Sequence, residues 1–197
     1  GGSPGKLHIP GEKEFTGRGV SYCATCDGPF YRDQEIAVIG GGNTAIQEAL
    51  HLTKFASKVT VIHRRDELRA TKIVQERAFA NDKIEFIYST RLIGIDGDEK
   101  GVKQLQLQHN NGSSSSLPVS GVFILIGVVP NSEILPKDDL EVDQWGFIVT
   151  DTEMRTTISG VFAAGDIRSK NFRQIINAAG EGATAELSAE RYLANME

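Results

Sequence analysis

The chain has 197 residues, 40% of them hydrophobic and 24% charged, ordinary values for a globular protein large enough to bury its own core. A formal net charge of −5 argues against a general binder of nucleic acid or of an anionic membrane surface, and the longest apolar run, Val122 to Val129, falls far short of a bilayer span. With only two cysteines and no visible secretory signal, the sequence argues against a disulfide-stapled secreted scaffold and points to the cytoplasm.

Residues 1 to 33 are rich in Gly and Pro and read as loop and linker with few regular elements. Gln34 to Ile39 (QEIAVI) predicts a short strand, and GGGNTA at 40 to 45 opens a helix with one apolar face, Ala45, Ile46, Ala49, Leu50, Leu52 and Phe55. Lys58 to Ile62 (KVTVI) predicts the next strand, so Glu35 to Ile62 has the length of one right-handed βαβ unit. A second helix is expected from Ala70 to Ala80 and a strand from Ile84 to Tyr88. Val102 to Gln108 alternates as a half-buried strand does, and NNGSSSS at 110 to 116 predicts a hairpin turn after it. Val122 to Ile126 reads as a buried strand, and 130 to 139, with two prolines, as a boundary. Phe147 to Thr150 and Gly160 to Ala164 complete the extended segments, and 172 to 194 form a helical tail.

Gly40-Gly41-Gly42-Asn43-Thr44-Ala45 matches G-x-G-x-x-A, with a strand before it and a helix after it. In such a turn the first glycine permits the bend and the second lets a pyrophosphate approach the backbone. The small third residue lets helix and strand pack closely, and the helix N-terminus offers unpaired N–H groups to the phosphates. A second match, Gly180 to Ala185 (GEGATA), has no feeding strand, so its glycines read as close-packing positions inside a helix. A protein that selects NAD carries an acid about twenty residues past the glycines. Here the second strand ends His63-Arg64-Arg65, with Arg69 a turn further on, and guanidinium forks suit a 2′-phosphate. Asp66 and Glu67 lie beside them and offer the alternative of a neutralised, solvated stretch.

Cys23 and Cys26 admit several readings. Zinc would need further ligands, and His8, His51, His63 and His109 are scattered. A structural disulfide does not suit a reducing compartment, and inert buried thiols leave the spacing unexplained. A redox dithiol accounts for it: C-x-x-C closes a small ring, lowers one thiol's pKa and makes the disulfide easy to exchange. Asp27, directly after Cys26, suits a proton shuttle, or else a turn-forming Asp-Gly pair.

The order CATCDG, AVIGGGNTA, HRRD, IG-x-x-PN, GVFAAGD and a late RQ resembles the low-molecular-weight thioredoxin reductases over nearly the whole chain. The resemblance implies an α/β fold: a Rossmann-like FAD/NAD(P)-binding domain of the pyridine nucleotide-disulfide oxidoreductase type, with an incomplete second, FAD-binding domain. It implies a homodimeric flavoprotein in which NADPH reduces FAD, FAD reduces the Cys23–Cys26 disulfide, and the dithiol reduces thioredoxin or a similar small protein. Carried onto this chain, Cys26 is nearest the flavin, Cys23 attacks the protein substrate and Asp27 donates the proton. Gly40, Gly42, Asn43, Thr44 and Ala45 cradle the NADPH pyrophosphate, while His63, Arg64, Arg65 and Arg69 form the 2′-phosphate end. Gly165, Asp166, Arg173, Gln174 and Ile175 belong to the FAD site, with Asp166 on the ribityl chain. No metal site is implied.

One departure is large. The family carries a further G-x-G-x-x-G near its N-terminus, and nothing before Cys23 supplies it, since GRGVSY at 17 to 22 has no feeding strand. The chain starts Gly1-Gly2-Ser3 rather than with Met. The expectation is a truncated chain: 1–11 the end of an FAD domain and linker, 12–132 the NADPH-binding domain, 133–197 the C-terminal segment of the FAD domain. That last segment would leave apolar faces uncovered. The family's domain rotation would hinge near Pro10-Gly11 and Pro130 to Pro136. Rival readings are a flavin reductase serving a peroxiredoxin or fed by ferredoxin, and a non-catalytic NADPH-binding module.

Overall fold

A computed structural model describes residues 1–135 and 139–196; part of the proline-rich boundary, Pro136 included, lies outside the described residues. In chain order the elements are strands β1 (Gly2–Pro4) and β2 (Val20–Ser21), helix α1 (Ala24–Asp27) running into a 3-10 turn (Gly28–Tyr31), and strand β3 (Glu35–Ile39). Helix α2 (Asn43–Leu52), strand β4 (Lys58–Ile62), helix α3 (Lys72–Phe79) and strands β5 (Ile84–Ile87), β6 (Thr90–Asp98) and β7 (Gly101–His109) follow. Strands β8 (Ser114–Pro118), β9 (Gly121–Ile124) and β10 (Val128–Pro130), a 3-10 turn (Gly165–Ile167) and helix α4 (Ile175–Ala194) complete the chain. They fall into two compact units, Pro4–Gly127, and Gly1–Ser3 with Val128–Glu197.

In the Pro4–Gly127 unit, five parallel strands run in the order β2-β9-β3-β4-β5. Parallel sheets are covered on both faces, so their strands carry near-continuous apolar runs, as EIAVI and KVTVI do. Alternation sends Ile36, Val38, Val59, Val61 and Phe123 to one face, against Ala45, Ile46, Ala49 and Leu52 of α2 and Val74 and Ala78 of α3. Ala37, Ile39, Ile62, Val122 and Ile124 go to the other, against Leu92, Ile95, Leu105 and Leu107 of the antiparallel β6-β7-β8 sheet. The spacing of 45, 46, 49 and 52 is what makes α2 a covering helix. At its C-terminal end the Lys83 ammonium donates to the Thr53 and Ala56 carbonyls at 3.0 and 3.1 Å.

Several expectations change. The few regular elements of residues 1 to 33 are β1, β2, α1 and a 3-10 turn, none of which was placed from sequence, because they are too short to show periodicity. Strand β6 was not foreseen, because register shifts between Leu92 and Gly94 and between Asp96 and Gly97 break its alternation. The hairpin at 110 is present, but Ser114 to Ser116 belong to β8, paired with Gln108, Leu107 and Gln106 of β7. Gly160 to Ala164 form no strand; Phe162 makes one isolated bridge with Arg155, and Ile148 makes single bridges with Val142 and Arg168.

The other unit holds the β1-β10 pair, these bridges and α4. Among the described residues of α4 only Ser188 is buried, while Ile175 and Ile176 are 90% and 79% exposed. A Cβ at Gly180 or Gly182 would meet nothing within 4 Å, so their expected close packing has no partner among the described residues. No described helix is long and apolar enough to cross a membrane.

Candidate active site and cofactor cavity

Cys23 and Cys26 are joined as a disulfide across the first turn of α1, which leaves neither sulfur as a thiolate ligand for zinc. Cys23 caps the helix, and its Sγ accepts the Cys26 N–H at 3.2 Å. Asp27 ends α1, and its Oδ2 accepts the hydroxyl of buried Ser21 at 2.6 Å. Ser21 Oγ accepts in turn from the Cys23 N–H at 3.1 Å. The carboxylate thus has a fixed position beside the disulfide, and Ser21 is a contributor that sequence reasoning missed. Its one signal is its place two residues before Cys23. Burial, and then the negative charge of Asp27, push the Tyr31 phenol above its ordinary range.

The glycine turn sits at the end of β3 and lines a cavity of about 620 Å³. A Cβ on Gly40, whose φ is +151°, would lie 2.6 Å from both the Ala45 Cβ and the Leu125 carbonyl oxygen, so the first glycine and the small Ala45 are packed against each other. A Cβ on Gly42 would meet no protein atom within 4 Å, so no protein neighbour accounts for glycine there; it leaves room for a ligand at the helix start. Gly40, Gly42, Asn43, Thr44, Ala45, His63, Arg64 and Arg69 all line this cavity, with Leu7 and Ile9 from the N-terminal segment. Arg65 does not line it, and neither do Cys23, Cys26 or Asp27. The structure therefore places the phosphate-binding candidates together and the redox pair elsewhere on the same unit.

His63 is 5% exposed, and its Nε2 has no hydrogen-bond partner among the described residues. Burial, and then the charges of Arg69, Arg65 and Arg64, hold its imidazole below the ordinary histidine range, against a hydrogen bond to the Glu67 backbone. The three guanidinium groups make no ion pair among the described residues, so Asp66 and Glu67 do not neutralise them there. A cavity with free helix-end N–H groups, an orphaned imidazole nitrogen and unpaired guanidinium groups fits a dinucleotide that carries an extra phosphate.

Glu12, also missed, anchors the wall that Leu7 and Ile9 supply. It is buried, and its carboxylate accepts the Leu7 N–H at 3.0 Å and the Tyr22 hydroxyl at 3.0 Å. No local pattern announces such a residue.

In the other unit, Asp166 lies in the 3-10 turn that starts at Gly165, and its Oδ1 is buried with no hydrogen-bond partner among the described residues, faced by the Lys170 ammonium at 3.9 Å. Arg173 is spent on its own fold: it donates to the Asp166 and Arg168 carbonyls at 3.2 and 3.1 Å and covers the Phe147 ring at 3.8 Å. Gln174 stands at the N-cap position of α4 without a side-chain capping bond, and Ile175 begins the helix. Glu181 holds the turn, accepting the Gly165 N–H at 2.8 Å and pairing with Arg168 at 2.9 Å and Lys170 at 3.1 Å. It sits between Gly180 and Gly182 of the GEGATA stretch, and no local pattern marks it. A buried carboxylate oxygen that receives no hydrogen bond, beside a glycine turn, fits a hydroxylated ligand such as the flavin's ribityl chain, with Lys170 balancing its charge.

Residues 1–182 match the family described as pyridine nucleotide-disulphide oxidoreductase. The chain belongs to this family. A thioredoxin reductase from Listeria innocua is 48% identical over 189 residues, covering 95% of this chain and 59% of the relative. The crystal structure of thioredoxin reductase from Streptococcus pyogenes is 46% identical with a TM-score of 0.90, over 99% of this chain and 64% of that one. A thioredoxin reductase structure from Giardia duodenalis is 38% identical with a TM-score of 0.91, over 98% and 64%. The chain thus spans about three-fifths of the length of these members of the family, at 59% and 64%.

Proposed function

We propose that this chain carries the NADPH-binding and disulfide-bearing part of a thioredoxin-disulfide reductase, a cytoplasmic homodimeric flavoprotein when whole. Residues 12–132 are read as the NADPH domain, 1–11 as the end of an FAD domain and the linker from it, whose Leu7 and Ile9 line the cavity, and 133–197 as the C-terminal segment of that FAD domain. The observation that carries the reading is the bonded Cys23–Cys26 pair, with Asp27 held beside it, on one unit with the glycine-turn cavity and its arginines.

The cofactors supply a hydride and its relay as an electron pair when bound. Gly40, Gly42, Asn43, Thr44 and Ala45 hold the pyrophosphate, and His63, Arg64, Arg65 and Arg69 take the 2′-phosphate; of these, Arg65 has the least support, because it lies off the cavity. Gly165, Asp166, Arg173, Gln174 and Ile175 form the FAD side, Arg173 by shaping the turn. The Cys23–Cys26 bond accepts two electrons and opens to a thiolate pair. Cys23 attacks a disulfide of thioredoxin, forming a mixed disulfide and releasing one thiolate, which is protonated by Asp27 after that carboxylate has itself taken up a proton from solvent. Cys26 then attacks Cys23 Sγ, which restores the Cys23–Cys26 bond and expels the partner's second thiolate, and a second proton from solvent completes its dithiol.

The test uses the whole protein with its flavin half. NADPH-dependent reduction of thioredoxin is expected to be lost in Cys23→Ser and in Cys26→Ser, with NADPH binding unchanged. Turnover that survives either substitution would remove the disulfide from the reaction. Turnover with a peroxiredoxin or with reduced ferredoxin, but not with thioredoxin and NADPH, would support the rival reductases.

A further inference from the structure

Asn43 opens α2 and lines the cavity, yet its Oδ1 is already engaged: it accepts the Thr71 backbone N–H at 2.7 Å. Beside it, the Gly41 carbonyl accepts the N–H groups of Arg69 at 2.7 Å and Ala70 at 3.1 Å. The His63 ring fills the space that a Gly41 side chain would need, with ring atoms 2.5 Å from an ideal Cβ. The glycine turn is therefore joined at several points to residues 63–71, the segment that presents the arginines. Arg64, Arg65 and Arg69 are exposed and make no ion pair among the described residues. Their placement rests on the backbone beneath them, because an exposed arginine keeps much of its rotamer freedom.

We propose that Asn43 is a specificity-determining positioning residue, which holds Thr71 so that the arginine segment keeps a set distance from the glycine turn. A ligand with phosphates at both ends of its ribose must meet both sites at once, and a misplacement of about 1 Å is enough to weaken such two-point binding. A ligand with the 5′-phosphate alone needs only the glycine turn. Loss of the Asn43–Thr71 bond therefore costs affinity for the doubly phosphorylated ligand more than for the other. The inference rests on the NADPH reading above.

The experiment titrates this chain with adenosine 2′,5′-bisphosphate and with adenosine 5′-monophosphate by calorimetry and takes the ratio of the two Kd values. Both probes carry one 5′-phosphate, so effects confined to that end cancel. Asn43→Ala is expected to reduce the preference for the bisphosphate roughly fivefold to tenfold, the worth of about one hydrogen bond. Thr71→Pro removes the same N–H and leaves Asn43 in place; Thr71 already has φ −63°, which proline adopts, and its side chain makes no capping bond. It is expected to lower the ratio by a similar factor. Melting temperatures identify which variants are folded, and either folded variant decides. An unchanged ratio overturns the inference. So does a drop in Asn43→Ala without one in Thr71→Pro, since Asn43 would then act on the 2′-phosphate end directly and not through Thr71. A wild-type chain with no preference for the bisphosphate sinks the NADPH reading itself, an outcome distinct from the other two.

Discussion

The Pro4–Gly127 unit buries both faces of its parallel sheet within its own chain, under helices on one side and an antiparallel sheet on the other. The unit of Gly1–Ser3 and Val128–Glu197 does not: α4 buries only Ser188 among its described residues, and Phe172, Ile175 and Ile176 are exposed. Each unit nevertheless fixes a turn with a glutamate. Glu12 satisfies backbone donors at Leu7 and Ile9, and Glu181 does the same at Gly165, between Arg168 and Lys170. Local polar geometry can therefore be set without a closed core, whereas resistance to unfolding cannot, because most of that comes from apolar burial. A face this apolar and this open is what the proposed FAD half would cover.

The largest expected effect breaks the comparison if it fails. Phe123 of β9 is fully buried on the helix-covered face of the sheet, with its ring edge-on to Tyr31 at 5.3 Å. Phe123→Ala is expected to cost about 3–5 kcal/mol in urea unfolding followed by circular dichroism. Ile176→Ala, at an exposed helix position, is expected to stay within about 0.5 kcal/mol of wild type. Similar losses in both would mean that α4 is packed in solution.

Glu12 sharpens it at intermediate size. Glu12→Ala strands the N–H groups of Leu7 and Ile9 and the Tyr22 hydroxyl, at a cost of about 1–3 kcal/mol. Leu7 and Ile9 line the cavity, so amide exchange at those two residues should rise more than in β3. Unaltered exchange there would show that the segment is held by its apolar contacts alone.

How much of this was legible follows from how local each cause is. The strand–glycine turn–helix–strand run from Glu35 to Ile62 could be read because each step has a short-range signal: an apolar run, a glycine that Ala45 requires, and apolar spacing along α2. The candidates at 40 to 45 and at 63, 64 and 69 meet in one cavity because β3 and β4 end side by side, in register from Glu35↔Lys58 to Ile39↔Ile62. Strand β6 was hidden by its bulges, and the serines of β8 by their polarity, which an edge strand tolerates. Glu12 and Ser21 are single polar residues buried by distant parts of the chain, and no window of sequence carries that information. The Gly41–His63 contact spans twenty-two positions, and neither residue's type foretells it.

Acid gives the smallest effect and divides the two units by pH. Both His63 and Glu181 titrate below their ordinary values, 6.5 and 4.5, in the folded chain. For His63 the causes are burial, then Arg69, Arg65 and Arg64. For Glu181 burial pulls the other way and is outweighed by hydrogen bonds from Gly165 and Lys170 and by the charges of Arg168 and Lys170. A depressed folded pKa means that the unfolded chain takes up the proton first, so stability is present above the unfolded value and is lost as pH falls through the folded one. His63 should thus begin to weaken the Pro4–Gly127 unit as pH drops below 6.5, and Glu181 should begin to loosen the Gly165 turn only below 4.5. Amide exchange at Thr90, whose N–H donates to the His63 carbonyl, and at Gly165 reports the two events separately. His63→Gln should flatten the first and leave the second, Glu181→Gln the reverse. A single shared transition at both amides would mean that the two units unfold together, and that the contrast in their cores does not extend to their stabilities.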